Sequence, residues 1–255
     1  MRNIILGMSA LALAAVSAPA FAQEEATPAV TISGGATLVS DYRFRGISQT
    51  DKGFAVQGSM TLTHSSGLYA SVWGSSIDEY VAAASDQEID LILGYKKSFG
   101  ATTVDLGVLY YFYPGSGDVI PGYNSDFFEP YVAVSQAFGP VTAKVSAAYA
   151  PKQKALSIGF GKEDNLYGAL DLSGALGDSG VSLSAHLGHN FSDDSFLSAG
   201  KDYTDWSLGA SYAWKNLTFG VSYVDTNFAK GALVSPFSGK DIAKAGVVGT
   251  IGVAF

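Results

Sequence analysis

The chain contains no cysteine, so no disulfide framework holds it together. Histidine is almost as scarce, at positions 64, 186 and 189 only, and three scattered imidazoles without a thiolate exclude a zinc cluster. Charged residues make up 15% of the chain, with 15 Lys and Arg against 23 Asp and Glu, giving a formal net charge of −8. An acidic chain with few clustered basic residues has no footprint for nucleic acid. It carries no nucleotide-binding motif, and we expect no cofactor. After Ala22 there is also no uninterrupted apolar run long enough for a membrane helix.

That last absence contrasts with a mean hydropathy of +0.20. The apolar residues are instead spread as alternation, among 30 Gly, 15 Phe, 14 Tyr and 3 Trp. High apolarity dispersed in this way is the pattern of a transmembrane β-barrel. The N-terminus agrees with export. Arg2 supplies a basic start, Ile4 to Val16 an apolar stretch, and Ala20-Phe21-Ala22 a small-x-small cleavage signal. We therefore expect a signal peptide over 1–22, a short polar periplasmic leader over 23–29, and a single barrel over 30–255. Losing Arg2 leaves the mature chain at −9.

Period-two alternation recurs about twelve times, at the length of tilted membrane strands. The first expected strand runs from about Val30 to Arg45. The fourth sets Ile89, Leu91, Leu93 and Tyr95 against Glu88, Asp90, Gly94 and Lys96. The fifth sets Val104, Leu106, Val108, Tyr110 and Phe112 against Asp105, Gly107 and Tyr111. The last alternates Val247, Gly249, Ile251, Val253 and Phe255 with Val248, Thr250, Gly252 and Ala254. A hydrophobic closing strand with terminal Phe resembles bacterial outer-membrane proteins, in which the barrel-insertion machinery reads that ending. Connections alternate short and long. The short ones lie near Ser66, Gly100, Gly139, Asp178 and Asn216, and the long ones span about 47–52, 76–86, 114–126, 151–164, 192–202 and 226–242. Short turns on one side and long loops on the other define an outer-membrane topology. The expected fold is an all-β, transmembrane, antiparallel up-and-down barrel of about twelve strands, in contact with outer-membrane lipid.

The most specific words are Ser40-Asp41-Tyr42-Arg43-Phe44-Arg45-Gly46-Ile47-Ser48-Gln49-Thr50 and Gly67-Leu68-Tyr69-Ala70-Ser71-Val72-Trp73-Gly74-Ser75-Ser76-Ile77-Asp78. Glu88-Ile89-Asp90 and Tyr110-Tyr111-Phe112-Tyr113-Pro114-Gly115 continue them. Over about residues 38–135 the chain resembles the Gcw_chp family of proteobacterial proteins, also called the TorF family of porin-like proteins. The resemblance implies an outer-membrane barrel presumed to be a porin, and it implies no particular substrate.

If apolar residues face lipid, the opposite phase lines the lumen. That phase carries Asp41, Arg43, Arg45, Glu88, Asp90, Asp105, Glu129, Lys144 and Asp171, with His186 beside them. Charges of both signs across a narrow lumen set a field that selects solutes by charge. Alternatively, they pair with one another and fill the interior. Twelve strands fall between filled eight-stranded barrels and open sixteen-stranded ones, so both outcomes stay open. We read Ser48-Gln49-Thr50-Asp51 as a solvated loop rather than one folded into the mouth. Tyr42, Phe44, Tyr69, Trp73, Tyr95, Phe112, Tyr149, Tyr167, Trp206, Trp214, Phe219 and Tyr223 are expected mainly as interface anchors. No catalytic residue is expected: His189 sits where a surface lipase would place its base, but no serine neighbours it. Asp193, Asp194, Asp202 and Asp205 match no calcium motif, so no metal is expected. The function these features imply is passive diffusion of small polar or charged solutes. The alternative is a non-conducting barrel acting through its outer loops.

Overall fold

The computed structural model describes residues 29–118, 124–159 and 161–255. The expected signal peptide and the 23–28 stretch of the leader lie outside these residues. In chain order the strands are β1 (Val30–Val39), β2 (Arg43–Phe44), β3 (Ile47–Ser48), β4 (Ala55–His64), β5 (Leu68–Ser76), β6 (Gln87–Phe99) and β7 (Thr102–Phe112). They continue as β8 (Phe127–Phe138), β9 (Val141–Gln153), β10 (Glu163–Ala175), β11 (Val181–Asn190), β12 (Tyr203–Trp214), β13 (Leu217–Thr226) and β14 (Gly246–Ala254).

All but β2 and β3 close into a twelve-stranded barrel in the order β1-β14-β13-β12-β11-β10-β9-β8-β7-β6-β5-β4, every pair antiparallel. Closure satisfies the backbone of every strand without water, which is what permits a sheet to stand in lipid. β14 seals the ring by pairing Thr250–Ala254 with Val39–Gly35 of β1. No helix among the described residues is long and apolar enough to cross a membrane.

The alternation reads directly onto the two faces. Leu91, Leu93, Leu106, Val108, Val132, Val134 and Val145 are exposed on the outside, while Glu88, Asp90, Glu129 and Lys144 are buried inside. Leu91 stands mid-strand on β6, so Leu91→Arg is expected to destabilise the folded barrel by roughly 2–4 kcal/mol in lipid. Urea unfolding in vesicles measures this; normal stability would mean that the two faces are assigned the wrong way round.

The first strand differs from expectation. It ends at Val39, not Arg45, and after Ser40, which still bonds Gly249 of β14, the chain leaves the wall and turns into the lumen over residues 41–48. The alternation runs on past Val39 because the inserted segment is itself extended, as the small hairpin β2–β3. Ser48 is fully buried, so this loop is not solvated either. The long loops fold down onto it. Ile77, Val81 and Ala82 from one loop, with Ala155, Leu156 and Leu197 from two others, join Val39, Tyr42, Leu109, Tyr111, Phe127 and Val248 in one buried apolar cluster. A smaller cluster sets Ile47 against Tyr203, Ile242 and Ala243. The loop end of the barrel therefore has a packed interior.

Candidate functional site

The centre of the lumen is the tip of the β2–β3 hairpin. Its two turn residues, Arg45 (φ 46) and Gly46 (φ 82), both have positive φ, as a tight two-residue hairpin turn requires. Glycine adopts this freely, and a Cβ at Gly46 would also crowd the side chains of Thr226 and Asp205. Arginine does not, at a cost of roughly 1–2 kcal/mol. The surroundings hold it there.

Arg45 Nη2 donates to both carboxylate oxygens of Glu129 on β8, at 2.8 Å each. The pair is almost wholly buried, with Arg45 5% and Glu129 0% exposed. Tyr111 Oη donates to Glu129 Oε2 at 3.1 Å, and Tyr203 Oη donates to the Arg45 carbonyl at 3.1 Å. The guanidinium lies over the rings of Tyr167 at 4.2 Å and Phe44 at 4.8 Å, a stacked and desolvated arrangement suited to arginine. The hairpin springs from β1, while β8 and β10, which carry Glu129 and Tyr167, are five strands from β1 in opposite senses around the ring. The latch therefore spans the lumen to the far wall.

The base of the hairpin is tied equally firmly. Arg43 Nε donates to Asp41 Oδ2 at 2.6 Å, and its Nη1 donates to the carbonyls of Gly46 at 3.0 Å, Ile242 at 3.3 Å and Lys244 at 3.1 Å. Ser48 Oγ donates to Asp41 Oδ1 at 2.6 Å, and Tyr80 Oη donates to the Ser48 carbonyl at 2.6 Å. Burial pushes the Tyr80 phenol up to about 12 from its usual 10. A raised folded-state value means that the neutral phenol favours the docked loop; this contribution is complete below about 10 and is lost as pH rises towards 12. The protection of residues 77–86 against hydrogen exchange, corrected for the intrinsic base-catalysed rate, is therefore expected to fall in that window, and Tyr80→Phe should reduce the fall.

Below the latch, Lys96, Asp105, Lys144, Asp171, His186 and Asp205 form pairs across neighbouring strands, whereas Glu88 and Asp90 have no basic partner among the described residues. Lys96 Nζ meets Asp105 Oδ2 at 2.8 Å, and Tyr69 Oη donates to Asp105 Oδ1 at 2.8 Å while also contacting the Tyr131 hydroxyl. Lys144 Nζ meets Asp171 Oδ2 at 2.9 Å, and Asp171 Oδ1 meets His186 Nδ1 at 2.6 Å. His186 Nε2 continues to Asp205 Oδ1 at 3.1 Å, and Tyr167 Oη donates to Asp205 Oδ2 at 2.9 Å. Gly188 makes this chain possible, since a Cβ there would overlap both the Tyr167 hydroxyl and Asp205.

The expected lumen residues thus all lie inside, but Asp41, Arg43 and Arg45 do so on the inserted segment rather than on a wall strand. Both arginines are held by carboxylates, Arg43 through Nε and Arg45 through Nη2, while Arg45 Nη1 is buried without a partner. Five of the aromatics expected as interface anchors, Tyr42, Phe44, Tyr69, Trp73 and Tyr167, instead face inward, because each caps or walls a buried charge. Nothing in the sequence marks Tyr203 as a lumen residue, and Asp205, which its spacing groups with the outer-loop aspartates, is buried on β12. Tyr111 was legible in the inward phase of β7. His189 Nδ1 bonds the Thr204 hydroxyl at 2.8 Å.

These features define an outer-membrane-type barrel of the porin-like class with an inserted first loop. The chain belongs to the Gcw_chp family, described as bacterial protein of unknown function, whose sequence model matches residues 23–255. No curated protein matches it. Among solved structures it is similar to the COG4313 outer membrane channel from Pseudomonas putida F1, at 11% identity and a TM-score of 0.51, covering 93% of this chain and 99% of that one. A chain from work on the in-meso crystallization of membrane proteins aligns at 9% identity and a TM-score of 0.52, covering 88% and 83%. The outer membrane channel DcaP of Acinetobacter baumannii aligns at 10% identity and 0.42, covering 89% and 97%. At these identities the likeness is one of fold.

Proposed function

We propose that the protein is an outer-membrane channel for passive diffusion of small polar or charged solutes, closed in this conformation by its own first loop. The observation that carries the reading is the Arg45–Glu129 ion pair, which seats the tip of a loop-borne hairpin on the opposite wall of the lumen. A barrel needing only a solid interior could fill it with wall side chains. Here the filling is a separate segment held by ionic contacts and a strained turn, the arrangement expected of an element with two positions. The short-turn end faces the periplasm and the loops face outward, as in other barrels of this topology.

The wild-type chain in a planar bilayer is expected to be closed most of the time, with brief discrete openings. A salt gradient then reports which lumen charges act on the open state. Permanent silence of a correctly folded barrel, and of its latch variants as well, would favour the non-conducting barrel that works through its outer loops. That second reading draws on the same packed loop cluster around Val81, Leu156 and Leu197.

A further inference from the structure

The wall that receives Arg45 is a built seat for a planar cation. Glu129, fully buried on β8, supplies the carboxylate, and Tyr111 Oη on β7 fixes it by donating to Oε2 at 3.1 Å. Tyr167 on β10 lays its ring against the guanidinium, 4.2 Å from the central carbon. At this level β9 turns Ala148 and Ala150 inward, and these short side chains leave the space between β8 and β10 to the guanidinium. Glu129, Tyr111 and Tyr167 all belong to wall strands, so they stay in place when the hairpin withdraws.

Arg45 fills this seat imperfectly. Both of its contacts to Glu129 come from the one nitrogen Nη2, and Nη1 is buried without a hydrogen-bond partner. A guanidinium and a carboxylate bind best side by side, through two parallel N–H···O bonds from two nitrogens. The tethered side chain does not reach that geometry, and its backbone is held at φ 46. A free guanidinium ion has no tether, so it can turn to give both bonds and still lie on the Tyr167 ring. Charge favours the exchange as well. Arg43 and Arg45 are carried by the hairpin, so its withdrawal removes both and leaves Glu88, Asp90, Glu129 and Asp205 on the wall strands. Lower on the wall, Lys96 is paired with Asp105, and Lys144 and His186 share Asp171. A lumen lined in this way accepts cations.

We propose that Glu129, Tyr111 and Tyr167 form a binding site for guanidinium-bearing cations in the open lumen, and that Arg45 occupies this site as a tethered competitor. The inference rests on the channel reading above, because the seat is free only once the hairpin has withdrawn. Binding is therefore one-sided in time. A free guanidinium reaches the seat during an opening and keeps the hairpin out, so it lengthens open times and leaves the opening rate unchanged. The lengthening follows 1 + [L]/Kd, about tenfold at ten times Kd.

Single-channel recording in a planar bilayer tests this, with guanidinium chloride at up to about 50 mM, far below denaturing concentrations. Sodium chloride at equal ionic strength is one control, and urea is the uncharged planar one. In the wild-type chain, open times are expected to lengthen and saturate with guanidinium alone. The Arg45→Ala chain, open without it, reports binding directly: guanidinium should lower its sodium current saturably by occupying the lumen. Adding Glu129→Gln to Arg45→Ala should weaken that block at least about tenfold, the loss of a charge-assisted contact, and adding Tyr167→Leu should act in the same direction. An open Arg45→Ala channel that treats guanidinium no differently from sodium would overturn the inference and leave the channel reading standing. A block unchanged by Glu129→Gln would overturn the location, and an equal effect of urea would overturn the part played by charge. A folded but silent Arg45→Ala barrel would overturn the channel reading and the inference together.

Discussion

Arg45→Ala is expected to convert a mostly closed barrel into a mostly open one. In the closed state the substitution leaves Glu129 buried without its counter-charge, a situation that costs about 3–5 kcal/mol. In the open state the hairpin has withdrawn, Glu129 faces a wet lumen, and the penalty largely disappears. The difference falls on the closed state alone, so the closed-to-open ratio should drop by roughly 10²- to 10⁴-fold. Single-channel recording reads this as a rise in open probability at unchanged unit conductance. The double variant Arg45→Met, Glu129→Met supplies the contrast. It replaces the buried pair with apolar side chains of similar length, which is often neutral or stabilising, and it should stay closed. If Arg45→Ala is as quiet as the wild type, the hairpin is a fixed part of the barrel interior.

Asp171→Ala is the second large effect, and it acts on stability. Asp171 holds Lys144 on one side and His186 on the other, and Lys144 is itself buried on β9. Removing the shared carboxylate strands Lys144 and leaves His186 with Asp205 as its one remaining carboxylate partner among the described residues. Breaking a buried pair costs about 3–5 kcal/mol, and the lower end applies here because Asp171 keeps 29% of its side chain exposed. Urea unfolding in lipid should show this loss, and Lys144→Met combined with Asp171→Leu should recover most of it. The loss should be independent of open probability, because these contacts join wall strands and not the hairpin. A variant that opened the channel without losing stability would place the gate lower in the barrel than the Arg45 latch.

The two effects separate what is local from what is not. The wall strands were legible because period two is a local signal: each residue's face is set by its neighbours one position away. Turns such as Gly139-Pro140 and Lys215-Asn216 were legible for the same reason, since chain reversal depends on the few residues that make it. The inward hairpin was not legible. Asp41, Arg43 and Arg45 stay in phase with β1 although the chain has left the wall, and alternation cannot tell one extended segment from another. Its decisive partner, Glu129, lies 84 residues away. Aromatics failed in a similar way. Tyr167 and Trp73 have the composition of interface anchors, and only the neighbouring charges show that they wall the lumen.

By itself, then, the sequence determined the class of fold, the strand count and the alternation of short and long connections. Each of these follows from spacing along the chain. Tertiary structure decided which charge meets which, that the first loop is inserted into the lumen, and that Glu88 and Asp90 have no basic side-chain partner among the described residues. Those facts depend on closing the ring, because only closure brings β1 and its hairpin against β8 and β10.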